Sequence, residues 1–409
     1  MDYHLLQRLK DRSGNFDKIP EDIKKMSVIF FVYLFGVKGI SFFIPVYINE
    51  VIDSYGLAGL IVSLFGIGMV FLDIPIGEML DKVGRKTLLY LGLIFRTISG
   101  VLYAFAFGVP LLILARVSDG LGVSFSWDSA WTLARDKSPE GLESESLAIF
   151  TIGTILASIV SPIFIGFLAM RTGLRVLFYF MTASSFITLI LAYFFIKDGF
   201  EKKEKIKDGI KDIVKKDKLM KKSFKDVKKL GKRGLVPLFL ALFYSINLSI
   251  IWFIVPLFAR ALNADYFLTG LLFGVMYIPG LLRYWFSELS DFFGDARVIY
   301  YFSLAGVIFA IPLIFIKSIW LLFILVVAFM TIMQGQNPSL GALLTKVSPK
   351  EEMGELTGVF QTFKHIGFFL GPFLAGAIAE FFWISAPFAL SAFILILMAL
   401  VAKSTGFDM

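Results

Sequence analysis

The 409 residues contain no cysteine, which excludes a disulfide framework, a thiolate nucleophile and a cysteine-held metal or cluster site. Histidine is nearly as scarce, and His4 and His365 cannot by themselves build a histidine-based metal centre. Charged residues make up only 18% of the chain against 57% hydrophobic, more apolar surface than a soluble domain can bury. There is no P-loop glycine–lysine motif and no nucleotide-binding fingerprint, so the sequence points to no enzyme, no ATP-driven pump and no cofactor. The first 26 residues are polar and lack a short apolar region with a cleavage site, so the first apolar segment is expected to stay as a membrane helix.

The formal net charge of +8 invites a nucleic-acid partner, but the excess is local. Residues 197–233 hold sixteen Lys and Arg against seven Asp and Glu, which accounts for the whole imbalance. No nucleic acid is therefore expected. Within that stretch Ile206, Ile210, Ile213 and Val214, then Phe224, Val227 and Leu230, recur at helical spacing between lysines. The pattern fits a helix lying on anionic lipid, and it fits a solvated linker equally well.

Apolar residues come in twelve runs, each long enough to cross a bilayer as a helix. The first six cover about 27–49, 58–80, 87–107, 109–134, 145–170 and 174–197. The second six cover about 235–261, 267–289, 296–316, 318–344, 353–381 and 383–403. Prolines inside them, such as Pro45, Pro75, Pro162, Pro256, Pro279 and Pro372, are tolerated where neighbouring helices satisfy the freed backbone groups. The expected organisation is a segment 1–26, a six-helix bundle 27–197, a basic linker 198–234, a second bundle 235–403 and a tail 404–409. Placing both termini and the even-numbered loops in the cytoplasm leaves only Arg171, Arg175, Arg260 and Lys317 outside, so the plasma membrane with cytoplasmic termini is the expected setting.

The two sets of six repeat. Ser138–Pro139 matches Ser348–Pro349, Pro162 matches Pro372, Gly166 matches Gly376, Asp81 matches Asp291 and Gly84 matches Gly294, each at an offset of 210. Pro45 and Pro256 stand 211 apart.

Between the second and third runs lies Gly77-Glu78-Met79-Leu80-Asp81-Lys82-Val83-Gly84-Arg85-Lys86. It resembles the loop 2–3 signature of the major facilitator superfamily, G-x-L-x-D-[RK]-x-G-R-[RK], with Met79 in place of Leu. The loop from Ser287 to Gly294 is a worn copy, with Asp295 where Arg85 stands. Arg116-Val117-Ser118-Asp119-Gly120-Leu121-Gly122 resembles the family's R-x-x-Q-G-x-G motif with Asp119 for Gln. Gly367 to Gly376 resembles a glycine–proline pattern linked with antiporters, though small residues there serve close helix packing as well.

The resemblance implies an all-α integral membrane protein with twelve transmembrane helices in two six-helix pseudo-repeated halves. It implies a secondary transporter of a small solute, working by alternating access and coupled to protons, acting as a monomer. A channel, or a membrane scaffold or receptor, is the rival class.

Ionisable residues within apolar runs mark a cavity or a partner, because a lone charge at mid-membrane costs about 2.5–3.5 kcal/mol on insertion scales. Lys38, Arg116 and Asp119 are the coupling candidates, with Lys38–Asp119 a plausible cross-helix pair and Asp119 the proton carrier. A fixed structural triad is the competing account. Arg96, Asp73 and Asp128 lie in the same half. Arg283, Lys364, His365, Gln336, Asn337, Gln361 and Asn247 are the substrate-cavity candidates. The surplus of basic groups favours an anionic substrate, with lipophilic drug-like compounds as the alternative. By resemblance, Asp81, Gly84, Arg85 and Asp136 form a conformational latch, and Gly77 admits a close neighbouring helix.

Overall fold

The computed structural model describes residues 18–73, 75–196, 231–348 and 353–404. The linker stretch 198–230 and the side chain of Asp73 lie outside the described residues. In lipid a backbone must satisfy its own polar groups, so runs of this length form helices. In chain order they are α1 Glu21–Ser41, α2 Ile44–Ile52, α3 Tyr55–Asp73, α4 Pro75–Val83, α5 Arg85–Ala104, α6 Val109–Asp136, α7 Glu143–Thr172 and α8 Leu174–Phe195. The second half has α9 Gly231–Ala261, α10 Tyr266–Met276, a 3-10 turn Ile278–Leu282, α11 Arg283–Phe293, α12 Asp295–Leu313, α13 Ile319–Val347, α14 Met353–Phe381 and α15 Pro387–Ser404.

Among the described residues ten spans are long and apolar enough to cross a membrane, and twelve result when the bent pairs α1–α2 and α3–α4 are each one span. Twelve crossings bring residues 18 and 404 to the same end, here termed the basic end because Lys82, Lys86, Arg135, Lys137 and Lys346 cluster there. Helices such as α7, with 30 residues, run about 45 Å, well beyond a ~30 Å hydrocarbon core, so they tilt or project from it.

Three spans are broken where the apolar runs looked continuous. The first bends by 42° at Phe42–Phe43, ahead of Pro45 at the start of α2. The second breaks ahead of Pro75. The eighth tightens into the 3-10 turn at Pro279. The offset partner of Pro45 behaves differently, because α9 runs unbroken through Pro256.

The two halves are pressed together at the end opposite the basic one. There α3 lies along α14, and α7 along α10. A Cβ placed on Gly59 would meet the carbonyl oxygen of Pro372 and the backbone of Gly376. One placed on Gly270 would meet the carbonyl oxygen of Pro162 and the Cα of Gly166. The two seams are copies of each other under the repeat, built from the same proline and glycine positions. Glycine is required because backbone stands directly on backbone, the close approach that drives helix association in lipid. Two carboxylates also bridge the halves at this end: Glu380 of α14 accepts from the backbone N–H of Gly56 at 3.1 Å, and Glu50 of α2 accepts from the Tyr266 hydroxyl of α10 at 2.8 Å. Toward the basic end the halves part, and a Cβ on Gly77, Gly341 or Gly358 would meet nothing.

Gly166→Leu should therefore force the seam open. Spin labels on α7 and α10 should move apart at the end opposite the basic one, and an unchanged distance in a well-folded variant would contradict the seam.

Candidate functional site

A cavity of ~380 Å³ lies between the halves. The first half contributes Lys38, Arg96 and Arg116 together with Tyr33, Phe42, Phe65 and Trp127. The second contributes Trp252, Phe253, Tyr277 and Phe368. Among the described residues no Asp or Glu lines it.

The placement follows from helix periodicity. Lys38, Ser41 and Phe42 fall three and four residues apart and so share one face at the end of α1. Ser249, Trp252 and Phe253, the same positions one repeat later, share the equivalent face of α9. The break after Ser41 turns the Phe42 ring across the interface, stacked on Phe273 with centroids 4.0 Å apart and edge-on to Trp252 at 6.1 Å. Trp252 in turn stacks on Phe368 at 5.6 Å. These rings roof the cavity beneath the glycine seams.

Behind the cavity wall sits a buried ionic cluster. One Asp119 oxygen is held by Arg96, and the other is 2.8 Å from Nη1 of Arg116. Arg116 also donates from Nε to the Val62 carbonyl at 3.0 Å and lies over the Phe65 ring at 4.4 Å. The Tyr33 and Ser126 hydroxyls share a hydrogen bond of 3.0 Å beside it. The cluster thus ties the first four spans together.

Asp119 does not pair with Lys38. Arg96, one turn of α5 facing α6, takes the place that the sequence assigned to Lys38, and it is the partner that sequence reasoning missed. Two arginines at mid-depth in adjacent spans were the available signal. Lys38 reaches the cavity, and among the described residues no carboxylate pairs with it.

None of the seven substrate-cavity candidates lines this cavity. Asn247 is fully buried, donating to the Phe243 carbonyl at 3.2 Å and accepting from Ser391 at 2.5 Å, so it fastens α9 to α15. Gln336 is also fully buried and donates to Ser303 at 3.1 Å, fastening α13 to α12. Their amides serve packing inside the second half. Lys364 stands one turn toward the basic end from Phe368, its Nζ 5.8 Å from the Phe360 ring centre. Arg283 is exposed on α11 within electrostatic range of Lys364. His365 lies near Phe368, with ring centroids 6.1 Å apart, while Asn337 and Gln361 are half-buried.

At the basic end the structure brings Asp81, Arg85 and Asp136 together. Arg85 is 2.8 Å from Asp136 and 3.2 Å from Asp81, and it donates to the Leu80 carbonyl at 3.3 Å. Gly84 makes the turn with φ at +98°, a region where a Cβ is strained. No helix approaches Gly77, because the halves have parted there. One repeat later the pair recurs with its signs exchanged. Asp295 stands at the position of Arg85, Lys346 at that of Asp136, and they pair at 2.9 Å. The second-half turn thus keeps an ion pair at these positions, although its basic end is lost. Gly294 repeats the positive φ at +91°.

The model of the Major Facilitator Superfamily matches residues 26–281 and 237–405. The chain belongs to that superfamily. An MFS-type transporter of Methanocaldococcus jannaschii, MJ1560, is 24% identical over 400 residues, covering 94% of this chain and 98% of its own. Quinolone resistance protein NorA of Staphylococcus aureus is also 24% identical, over 86% of this chain and 88% of its own. Among solved structures, the nucleoside transporter NupG superposes with a TM-score of 0.78 at 13% identity, covering 94% of this chain and 99% of its own. A D-xylose–proton symporter superposes with a TM-score of 0.73 at 15% identity, covering 95% and 97%. The superfamily member described here is a multi-pass membrane protein and a secondary transporter of a small solute.

Removing one member of a buried ionic cluster strands its partners, at about 3–5 kcal/mol. Asp119→Ala should lower thermal stability sharply. The double variant Arg96→Gln/Asp119→Asn should lose less than the sum of the two single changes, by about 1–3 kcal/mol. Additive losses in a thermal unfolding series would show that the two residues do not act as a unit.

Proposed function

We propose that this transporter is proton-coupled and moves a small organic anion by alternating access, with the basic end on the cytoplasmic side of a plasma membrane. The observation that carries the reading is the cavity itself, whose walls hold three cations and, among the described residues, no carboxylate. Closure at one end only corresponds to one of the two states that alternating access requires. The Lys and Arg asymmetry supports the orientation. Residues 198–234 would rest on anionic lipid of the inner leaflet, and the functional unit would be a monomer.

A second reading has support of its own. The aromatic walls and the kinship with the quinolone resistance protein NorA fit export of lipophilic drug-like compounds.

Coupling is assigned to Lys38, Arg116 and Asp119, with Arg96 as the fourth member. The fold shared with a D-xylose–proton symporter supports protons as the driving ion. In proteoliposomes, Asp119→Asn should abolish accumulation driven by a pH gradient yet preserve exchange of substrate down its own gradient. Accumulation that survives alongside a lowered unfolding temperature would make the cluster a clamp and place coupling elsewhere.

The Asp81–Arg85–Asp136 group is assigned the role of a latch for the state closed at the basic end. Asp81 is 73% exposed here, and Gly77 is bare, so both are available to the second half once that end closes. Asp81→Asn should raise labelling of cavity residues from the basic end without loss of expression. Unchanged labelling with normal transport removes the latch.

A further inference from the structure

We infer that the substrates are amphipathic aromatic anions, with the acidic group held by Lys38 of the first half and the ring held by the Trp252–Phe368 wall of the second. The inference rests on the transport reading above and narrows it to one chemical class.

The charge balance is one-sided. Lys38, Arg96 and Arg116 line the cavity, and Asp119 neutralises a single one of them from behind, leaving a formal excess of two positive charges. Arg96 and Arg116 are both spent on Asp119, and Arg116 is spent further on the Val62 carbonyl. Lys38 is the remaining cation, and among the described residues nothing neutralises it. In a low-dielectric cavity an organic cation would meet repulsion, and a carboxylate or sulfonate would meet an unused partner. A fully hydrated small anion gains little from the rest of the wall, which is mainly aromatic and aliphatic with a few hydroxyls. Trp252, Phe253, Tyr277 and Phe368, with Ser249 and Pro372, form its second-half side, and the 5.6 Å stack of Trp252 on Phe368 offers a flat surface to a ring. The volume of ~380 Å³ stands near the lower end of small-molecule sites, which limits the body to a small ring system.

The division between the halves gives the class its use. The anion contacts α1 and the ring contacts α9 and α14. A molecule carrying both features bridges the halves, and one carrying a single feature does not.

The test uses the purified full-length protein and three isosteric probes: 2-naphthoate, 2-naphthalenemethanol and 2-naphthylmethylammonium. Quenching of tryptophan fluorescence and thermal shift report binding. 2-Naphthoate should bind at least about tenfold tighter than the alcohol, and the ammonium more weakly than either. Lys38→Met should remove that preference, Lys38→Arg should keep most of it, and Trp252→Ala should weaken naphthoate and alcohol together. Ammonium binding as tight as naphthoate overturns the assignment of charge. An undiminished naphthoate preference in a folded Lys38→Met overturns the assignment of Lys38. Parallel flux assays separate this inference from the transport reading. If a pH gradient drives flux of an uncharged or cationic solute and naphthoate does not bind, the substrate class fails and the transporter stands. If naphthoate binds as described but no tested aromatic anion crosses the membrane, the site binds such anions but they are not its substrates, and the inference is overturned.

Discussion

Lipid gives two helices no hydrophobic reason to associate, so how close their backbones come decides how well they hold. In this protein the decisive approach is made where glycine meets glycine across the halves, Gly59 against Gly376 and Gly166 against Gly270. Everything at the centre depends on it. The seams bring α3 to α14 and α7 to α10, which fixes the spacing between α1 and α9 and so the width of the cavity they wall. They also place Phe42 against Phe273, which roofs that cavity. Because the four glycines form two equivalent pairs, the end opposite the basic one closes through two matching contacts on either side of the pseudo-twofold.

The halves share a backbone plan and differ in where they keep charge. Arg96, Arg116 and Asp119 correspond under the repeat to Gly306, Val326 and Phe329, which belong to the apolar packing of the second half. Burying an ionic cluster is expensive, and an apolar replacement of similar volume removes that cost. Only one half carries it. The pairs at the basic end show the opposite pattern, in which the bond is kept and its direction is reversed. Arg85–Asp136 and Asp295–Lys346 join the same two helix ends in each half. Coulomb attraction is indifferent to which end is positive, so the brace survives the exchange.

Much of this was legible in the residues. Twelve apolar runs, the constant offset of the repeat and the Gly77 to Lys86 signature were enough for the architecture, because lipid allows so few solutions. The helix breaks were not legible: Pro45 interrupts its span while its repeat partner Pro256 does not, so a proline alone does not tell which helix breaks. Buried charges were identified by type but not by partner, since depth along a helix says little about rotation around it. Asn247 and Gln336 illustrate the same limit, polar at the right depth and turned into the second-half core. The aromatic lining was overlooked, although the repeat held it: the offset of 211 carries Lys38, Ser41 and Phe42 onto Ser249, Trp252 and Phe253, and all six line the cavity.

The cavity draws its cations from one half and much of its ring surface from the other. That arrangement loosens the connection between two properties which in a shared wall would change together. A substitution at Trp252, Tyr277 or Phe368 alters the shape of the cavity while leaving the Arg96–Asp119–Arg116 cluster untouched. The second-half wall can therefore change the shape of the cavity without disturbing the buried charges of the first. Duplication of one six-helix unit, followed by loss of charge from a single copy, is enough to produce such a division.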